Sequence, residues 1–152
     1  MSPPTGARSV IARQHGSAKP KLIDNDFSHV PMHQRFVQSE LEALAATPGV
    51  RSCALVERAS GLVWCTAGQP GEPALWEAAV DYWRLYLRTQ QHYHHMGELR
   101  AAVMYHLHSM LALLPSNEAG DLLVVCVAEH QGVDWIAWQR RVRAMGTRLS
   151  QN

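Results

Sequence analysis

The residues with the most latent chemistry are histidines. His92, His94, His95, His106 and His108 fall within 17 positions of a chain that carries 9 histidines in all. Neutral imidazole is the commonest protein metal ligand, and histidines two apart on a strand would share a face. No Cys, Asp or Glu joins the cluster at ligand spacing, however. Gln90-Gln-His-Tyr-His-His95 reads instead as the polar end of a helix, where the dipole favours histidine without any further role. The expectation is therefore no metal and no cofactor, with a His-cluster metal or haem binder kept as the remotest alternative. Cys53, Cys65 and Cys126 each sit in an apolar stretch, unpaired in spacing, as small buried hydrophobes would. Free thiols point to a reducing compartment, hence a cytoplasmic protein.

Catalytic patterns are missing. There is no Gly-x-Ser-x-Gly elbow, no cysteine in a polar setting that would activate it, and no Gly-rich phosphate loop after a strand. Glu77 and Asp81 stand at helical spacing, but Arg84 and Arg88 share their face, which reads as a solvated helix surface. An enzyme is not expected. Arg140, Arg141 and Arg143, with Arg148 beyond, remain as a basic group able to meet an acidic partner. Aromatic residues do not interleave with them as on a single-strand-binding sheet, so nucleic acid is not expected.

The whole chain frames these groups. Its 152 residues carry 14 basic and 13 acidic side chains and are 47% hydrophobic, enough for one domain with a real core. No apolar run is long enough to span a bilayer. The charge is unevenly placed: Arg8, Arg13, Lys19 and Lys21 precede the first acid, Asp24, which leaves 10 basic against 13 acidic residues in the rest. Residues 1–31 are rich in Pro and Gly and poor in large apolar side chains, so they are expected to form a disordered basic tail before a domain at 32–149. Val10-Ile-Ala12 is too short for a secretory h-region, and the prolines oppose the helix of a transit peptide.

Periodicity then supplies the elements that must position any surface. Val37, Leu41 and Leu44 predict a helix from about Met32 to Ala46, stopped by Thr47-Pro-Gly49. Arg51–Glu57 and Leu62–Thr66, separated by a turn with Gly61, predict a hairpin. A second helix from about Ala74 to Gln91 is the most informative segment. Leu75, Trp76, Ala79, Val80, Tyr82, Trp83, Tyr86 and Leu87 occupy an arc of roughly 160°, wider than the ~100° a surface helix needs. Trp76, Val80, Trp83, Tyr86 and Leu87 are accordingly the expected contacts of a second protein, with a deeply buried core helix as the alternative reading. Leu99–Leu114 fits both a helix and a hairpin, and periodicity does not separate them. Asp121–Ala128 is apolar at consecutive positions, as a strand covered on both faces would be, and a last helix runs from about Asp134 to Leu149.

This order of elements resembles the Roadblock/dynein light chain family. The matching stretches are Leu41-Glu-Ala-Leu-Ala with Pro-Gly-Val50, Ala54-Leu-Val-Glu-Arg-Ala-Ser-Gly-Leu-Val63, and Asp121-Leu-Leu-Val-Val-Cys-Val127 running into the last helix. The likeness covers about Phe36 to Leu149. It implies an α+β, profilin-like/Roadblock architecture: a five-stranded antiparallel sheet with a long helix on one face and the terminal helices on the other. It also favours the hairpin over 99–114. It further implies a homodimer joined through sheet edges and second helices, serving as a non-catalytic regulator or scaffold of a small Ras-like GTPase, with no catalytic residue to carry over. The alternative is a small-molecule sensory module of related α–β–α fold, its cavity beside Trp64, Trp76 or Trp83.

Overall fold

The computed structural model describes residues 32–151; the expected basic tail at 1–31 lies outside the described residues. The chain runs α1 (Met32–Ala45), β1 (Val50–Glu57), β2 (Val63–Gly68), α2 (Pro73–Thr89), β3 (Ala102–Tyr105), β4 (Met110–Pro115), β5 (Leu122–Ala128) and α3 (Trp135–Ser150). Two short 3-10 turns, Gln90–His92 and His94–Met96, extend α2 towards β3. The five strands form one antiparallel sheet in the order β2-β1-β5-β4-β3. α2 thus carries the chain from one sheet edge, β2, to the other, β3.

Each strand's alternation divides the core between the two faces. Ala54 and Val56 of β1, Leu111 and Leu113 of β4, and Leu123 and Val125 of β5 pack with Trp76, Ala79, Val80 and Trp83 of α2. Cys53, Leu55, Ala112, Leu114, Val124 and Cys126 face the other way, onto Val37, Leu41 and Leu44 of α1 and Trp138, Val142 and Met145 of α3. The α+β architecture implied by the resemblance is the one observed.

The segment 99–114 is a hairpin. Ala102, Val103, Met104 and Tyr105 pair with Leu113, Ala112, Leu111 and Met110, and the His106 amide donates to the Ser109 carbonyl at 2.9 Å across the turn. Its helix-like spacing has a simple origin. β4 is covered on both faces, so it must be apolar at every position, and a continuous apolar run satisfies a helical template as readily as a strand. β5 is such a strand too, lying centrally between β1 and β4.

The helices on the α1–α3 side are held by specific polar contacts. Asp134 caps α3, its carboxylate accepting from the Ile136 and Ala137 amides at 3.1 and 3.0 Å. The Trp138 indole N–H donates to the Leu44 carbonyl at 3.2 Å in the buried seam between α3 and α1. Farther along that seam the Arg148 guanidinium meets Glu40 at 2.8 Å and lies over the Phe36 ring at 5.5 Å. α3 also approaches the β4–β5 loop closely at Gly146, where there is no room for a side chain.

Candidate functional surface

α2 divides its wide apolar arc between two duties. Trp76, Val80 and Trp83 are 2%, 0% and 4% exposed and pack on the chain's own sheet. Tyr86 and Leu87 are half-buried at the border of that core. Outside it, Leu75, Tyr82 and Leu85 stand exposed. Their spacing, together with Tyr86, follows the three- and four-residue steps that put side chains along one flank of a helix. Of the residues expected as contacts, Tyr86 and Leu87 are therefore accessible only at the border of this face. Trp76, Val80 and Trp83, expected as contacts, are held within the chain because the sheet itself needs their bulk.

The opposite flank of α2 is polar and serves the fold. Arg84 pairs with Asp81 at 2.9 Å, while its Nε and Nη2 donate to the Arg58 and Ala59 carbonyls at 2.9 and 2.8 Å. That clamp fixes the β1–β2 turn against α2. The turn itself requires Gly61, whose φ of 78° lies in the left-handed region.

The apolar flank runs into a surface groove of about 700 Å³ between α2, the 3-10 turns and the approach to β3. Tyr82, Leu85, Tyr86, Tyr93, Met96 and Leu99 line it. The Tyr86 ring links core to surface, tilted against Trp83 at 6.4 Å and stacked on Tyr93 at 5.8 Å. Beside the groove lies β3, which among the described residues ends the sheet and pairs with β4 alone. An unpaired strand edge offers a row of backbone donors and acceptors to an incoming strand. The other edge is better defended: a register shift interrupts the β1–β2 ladder at Leu55/Val56, and the Gln38 side chain donates to the Thr66 carbonyl at 3.2 Å.

The arginine group separates in the same way. Arg141 donates to the Ala43 carbonyl at 2.7 Å and to the Thr47 hydroxyl at 3.0 Å, capping the end of α1. Arg140 and Arg143 point away from that seam and are exposed. Arg143 lines a second cleft, of about 680 Å³, with Arg100, Glu98, Glu118 and Thr147. Neither cleft touches Trp64, Trp76 or Trp83, the places where a sensory cavity was expected.

The histidines do not converge. His92, His94 and His95 are exposed on the 3-10 turns, and His106 and His108 on the β3–β4 turn. Among the described residues no three His, Cys, Asp or Glu gather as a metal site would need. His130, which stands outside the cluster seen in the sequence, serves the fold. Its Nε2 lies 2.7 Å from the His106 carbonyl and 3.2 Å from that of Ser109, closing the β3–β4 turn. Nothing in its local sequence marks that long-range contact. Cys53 and Cys126 are buried, whereas Cys65, expected to be buried with them, is half-buried. Burial raises Cys65 to about 11 and Cys126 to about 12, and drives Cys53 higher still, so the thiolate form is suppressed. No helix among the described residues is long and apolar enough to cross a membrane.

No family model matches the sequence, and no curated protein is significantly similar to it. Solved structures do share its fold. The gliding protein MglB of Thermus thermophilus superposes with a TM-score of 0.64 at 17% identity, covering 80% of this chain and 93% of that one. A Roadblock/LC7 domain from Streptomyces avermitilis gives 0.61 at 14% identity, over 76% of this chain and 93% of that one. An MglB solved in a tetrameric arrangement gives 0.64 at 18% identity, over 80% and 93%. The fold of this chain is that of the Roadblock/LC7 domain.

Proposed function

We propose that the protein is a non-catalytic, cytoplasmic regulator or scaffold that acts as a homodimer on a small Ras-like GTPase. The observation that carries this reading is the placement of an open strand edge, β3, beside the exposed apolar flank of α2. Two copies related by a twofold axis normal to the sheet would pair β3 with β3, making one ten-stranded sheet from two sheets of five. The same axis brings the two α2 flanks together, so that Leu75, Tyr82, Leu85, Tyr86 and Leu87 meet their counterparts. Closing the edge removes a site of uncontrolled strand pairing, and covering the flank removes apolar area from water. A stable dimer of this kind buries on the order of 1,600 Å² in total. Self-association also accords with the MglB solved as a tetramer.

The GTPase comes from the Roadblock resemblance, which the shared fold supports. The absence of catalytic motifs from the sequence favours action through binding. Co-purification of the full chain with a panel of Ras-like GTPases in GDP- and GTP-loaded forms tests this, followed by hydrolysis rates with and without the protein. A nucleotide-selective complex supports the proposal. No complex with any member, at concentrations where the protein is dimeric, refutes the GTPase half of it.

A further inference from the structure

The sheet face opposite α2 carries a second exposed apolar surface. Val103 pairs with Ala112, whose side chain belongs to the α1–α3 core, so Val103 and Tyr105 two residues on face that side. They are 43% and 74% exposed, so the helices leave this end of the face open. Ile136, 68% exposed, adds to the same side from the first turn of α3. On α3, Ile136, Gln139, Arg140 and Arg143 recur at i, i+3, i+4 and i+7, along one flank. Two contacts orient that flank towards β3. The Gln139 amide donates to the Arg100 carbonyl at 3.3 Å, just before β3, and Arg143 shares a cleft with Arg100.

The charges on this shelf are unspent. Arg58, Arg84, Arg141 and Arg148 all hold acceptors within the chain. The Arg100, Arg140 and Arg143 guanidinium groups have no acceptor among the described residues. Tyr105, by contrast with a loose surface aromatic, is held in place: its ring stacks on His130 at 6.3 Å, and His130 is itself fixed on the turn carbonyls. An anchored aromatic at one end of β3, with guanidinium groups that have no acceptor among the described residues towards the other end, suits an extended segment that carries both apolar side chains and carboxylates.

We propose that this shelf docks an acidic, amphipathic polypeptide segment, its apolar side chains on Val103, Tyr105 and Ile136 and its carboxylates on Arg100, Arg140 and Arg143. An anionic bilayer fits less well. Glu98 and Glu118 lie in the same cleft as Arg100 and Arg143, and a uniformly negative plane would meet them as well as the arginines, whereas a peptide places its charges one at a time. The shelf lies on the sheet face opposite α2 and meets the α2 groove only at Arg100, which lines both clefts; pairing β3 edge to edge with a second copy would leave that face of the strand uncovered.

The test is selection of a random dodecapeptide library on the full-length protein, with affinities of the enriched peptides measured by fluorescence anisotropy. Enriched peptides should pair apolar residues with Asp or Glu, and Tyr105→Ser and Arg143→Glu should each weaken binding about tenfold. Both side chains are exposed, and an unchanged circular-dichroism spectrum verifies the fold of each variant. Leu75→Glu, on the α2 flank but outside both clefts, should leave peptide affinity unchanged even if it dissociates a dimer, so failure of the dimer and failure of the shelf are distinguishable. The proposal is overturned if no peptide is enriched, if the enriched peptides lack acidic residues, or if Tyr105→Ser and Arg143→Glu bind as the wild type does. It is also overturned if phosphatidylserine vesicles bind the wild type while the acidic peptides do not.

Discussion

Replacing Gly146 by alanine sets two effects of opposite sign against each other. In the interior of a helix, alanine is favoured over glycine by about 1 kcal/mol. Gly146 stands inside α3, so propensity alone would stabilise the variant. The packing says otherwise. A Cβ at this position would lie 1.4 Å from the Ser116 carbonyl oxygen and 2.3 Å from its carbon. Relieving the contact to a C···O separation of about 3.3 Å requires helix and loop to part by about 2 Å. The loop has little freedom to yield, because the Ser116 amide and hydroxyl both donate to the Leu122 carbonyl, at 2.9 and 3.1 Å. Moving α3 instead would loosen Met145 and Val142, both 0% exposed, from the sheet. Such overpacking costs about 3 kcal/mol, which leaves a net loss of about 2 kcal/mol once propensity is credited. Urea denaturation followed at 222 nm measures this directly, as a lower midpoint at unchanged slope. A variant as stable as the wild type, or more so, would refute the close packing of α3 on the β4–β5 loop.

Other consequences are equally measurable. Asp134→Ala removes the cap of α3 and its bonds to the Ile136 and Ala137 amides, and should cost about 1 kcal/mol in the same urea assay; no change would show that the cap contributes nothing. The thiols give stability a pH dependence: each is held neutral in the fold at a value above its ordinary 9.0, with Cys65 near 11 and Cys126 near 12. Their contribution is therefore full below pH 9 and is lost as pH rises through 11 to 12, so the urea midpoint should fall over that alkaline range. At pH 8 a thiol reagent should modify Cys53 and Cys126 only as fast as the protein unfolds; immediate labelling of both in the native state would contradict their burial. Arg141→Ala, which uncaps α1 at Ala43 and Thr47, should destabilise the protein by about 1 kcal/mol, whereas Arg140→Ala should leave stability within about 0.5 kcal/mol.

The strands and helices were legible where one face of an element does one job. α1, with Val37, Leu41 and Leu44 on a single stripe, is placed within a residue of its expected end. β4 was not, because covering both faces erased the alternation that distinguishes a strand. α2 was legible as a helix with too much apolar surface, but a helical wheel does not say which part of a wide arc meets the sheet. Trp76, Val80 and Trp83, three of the expected contacts, are buried against the sheet in the single chain, while Leu75, Tyr82 and Leu85 are exposed. The arginines divided for a similar reason. Arg140 and Arg141 are neighbours in sequence but about 100° apart on a helix, so Arg141 caps α1 while Arg140 has no acceptor among the described residues. Contacts between distant segments, such as His130 with the β3–β4 turn, leave no local trace at all.

The proposed function stands on the dimer, and sedimentation equilibrium of the full chain at micromolar concentration tests it most directly. The expected mass is twice that of the 17.0 kDa chain. Tyr82→Glu combined with Leu85→Glu should sediment as a single chain, both residues being exposed in the isolated fold. A wild-type protein that sediments as a monomer, or a dimer indifferent to both substitutions, would contradict it.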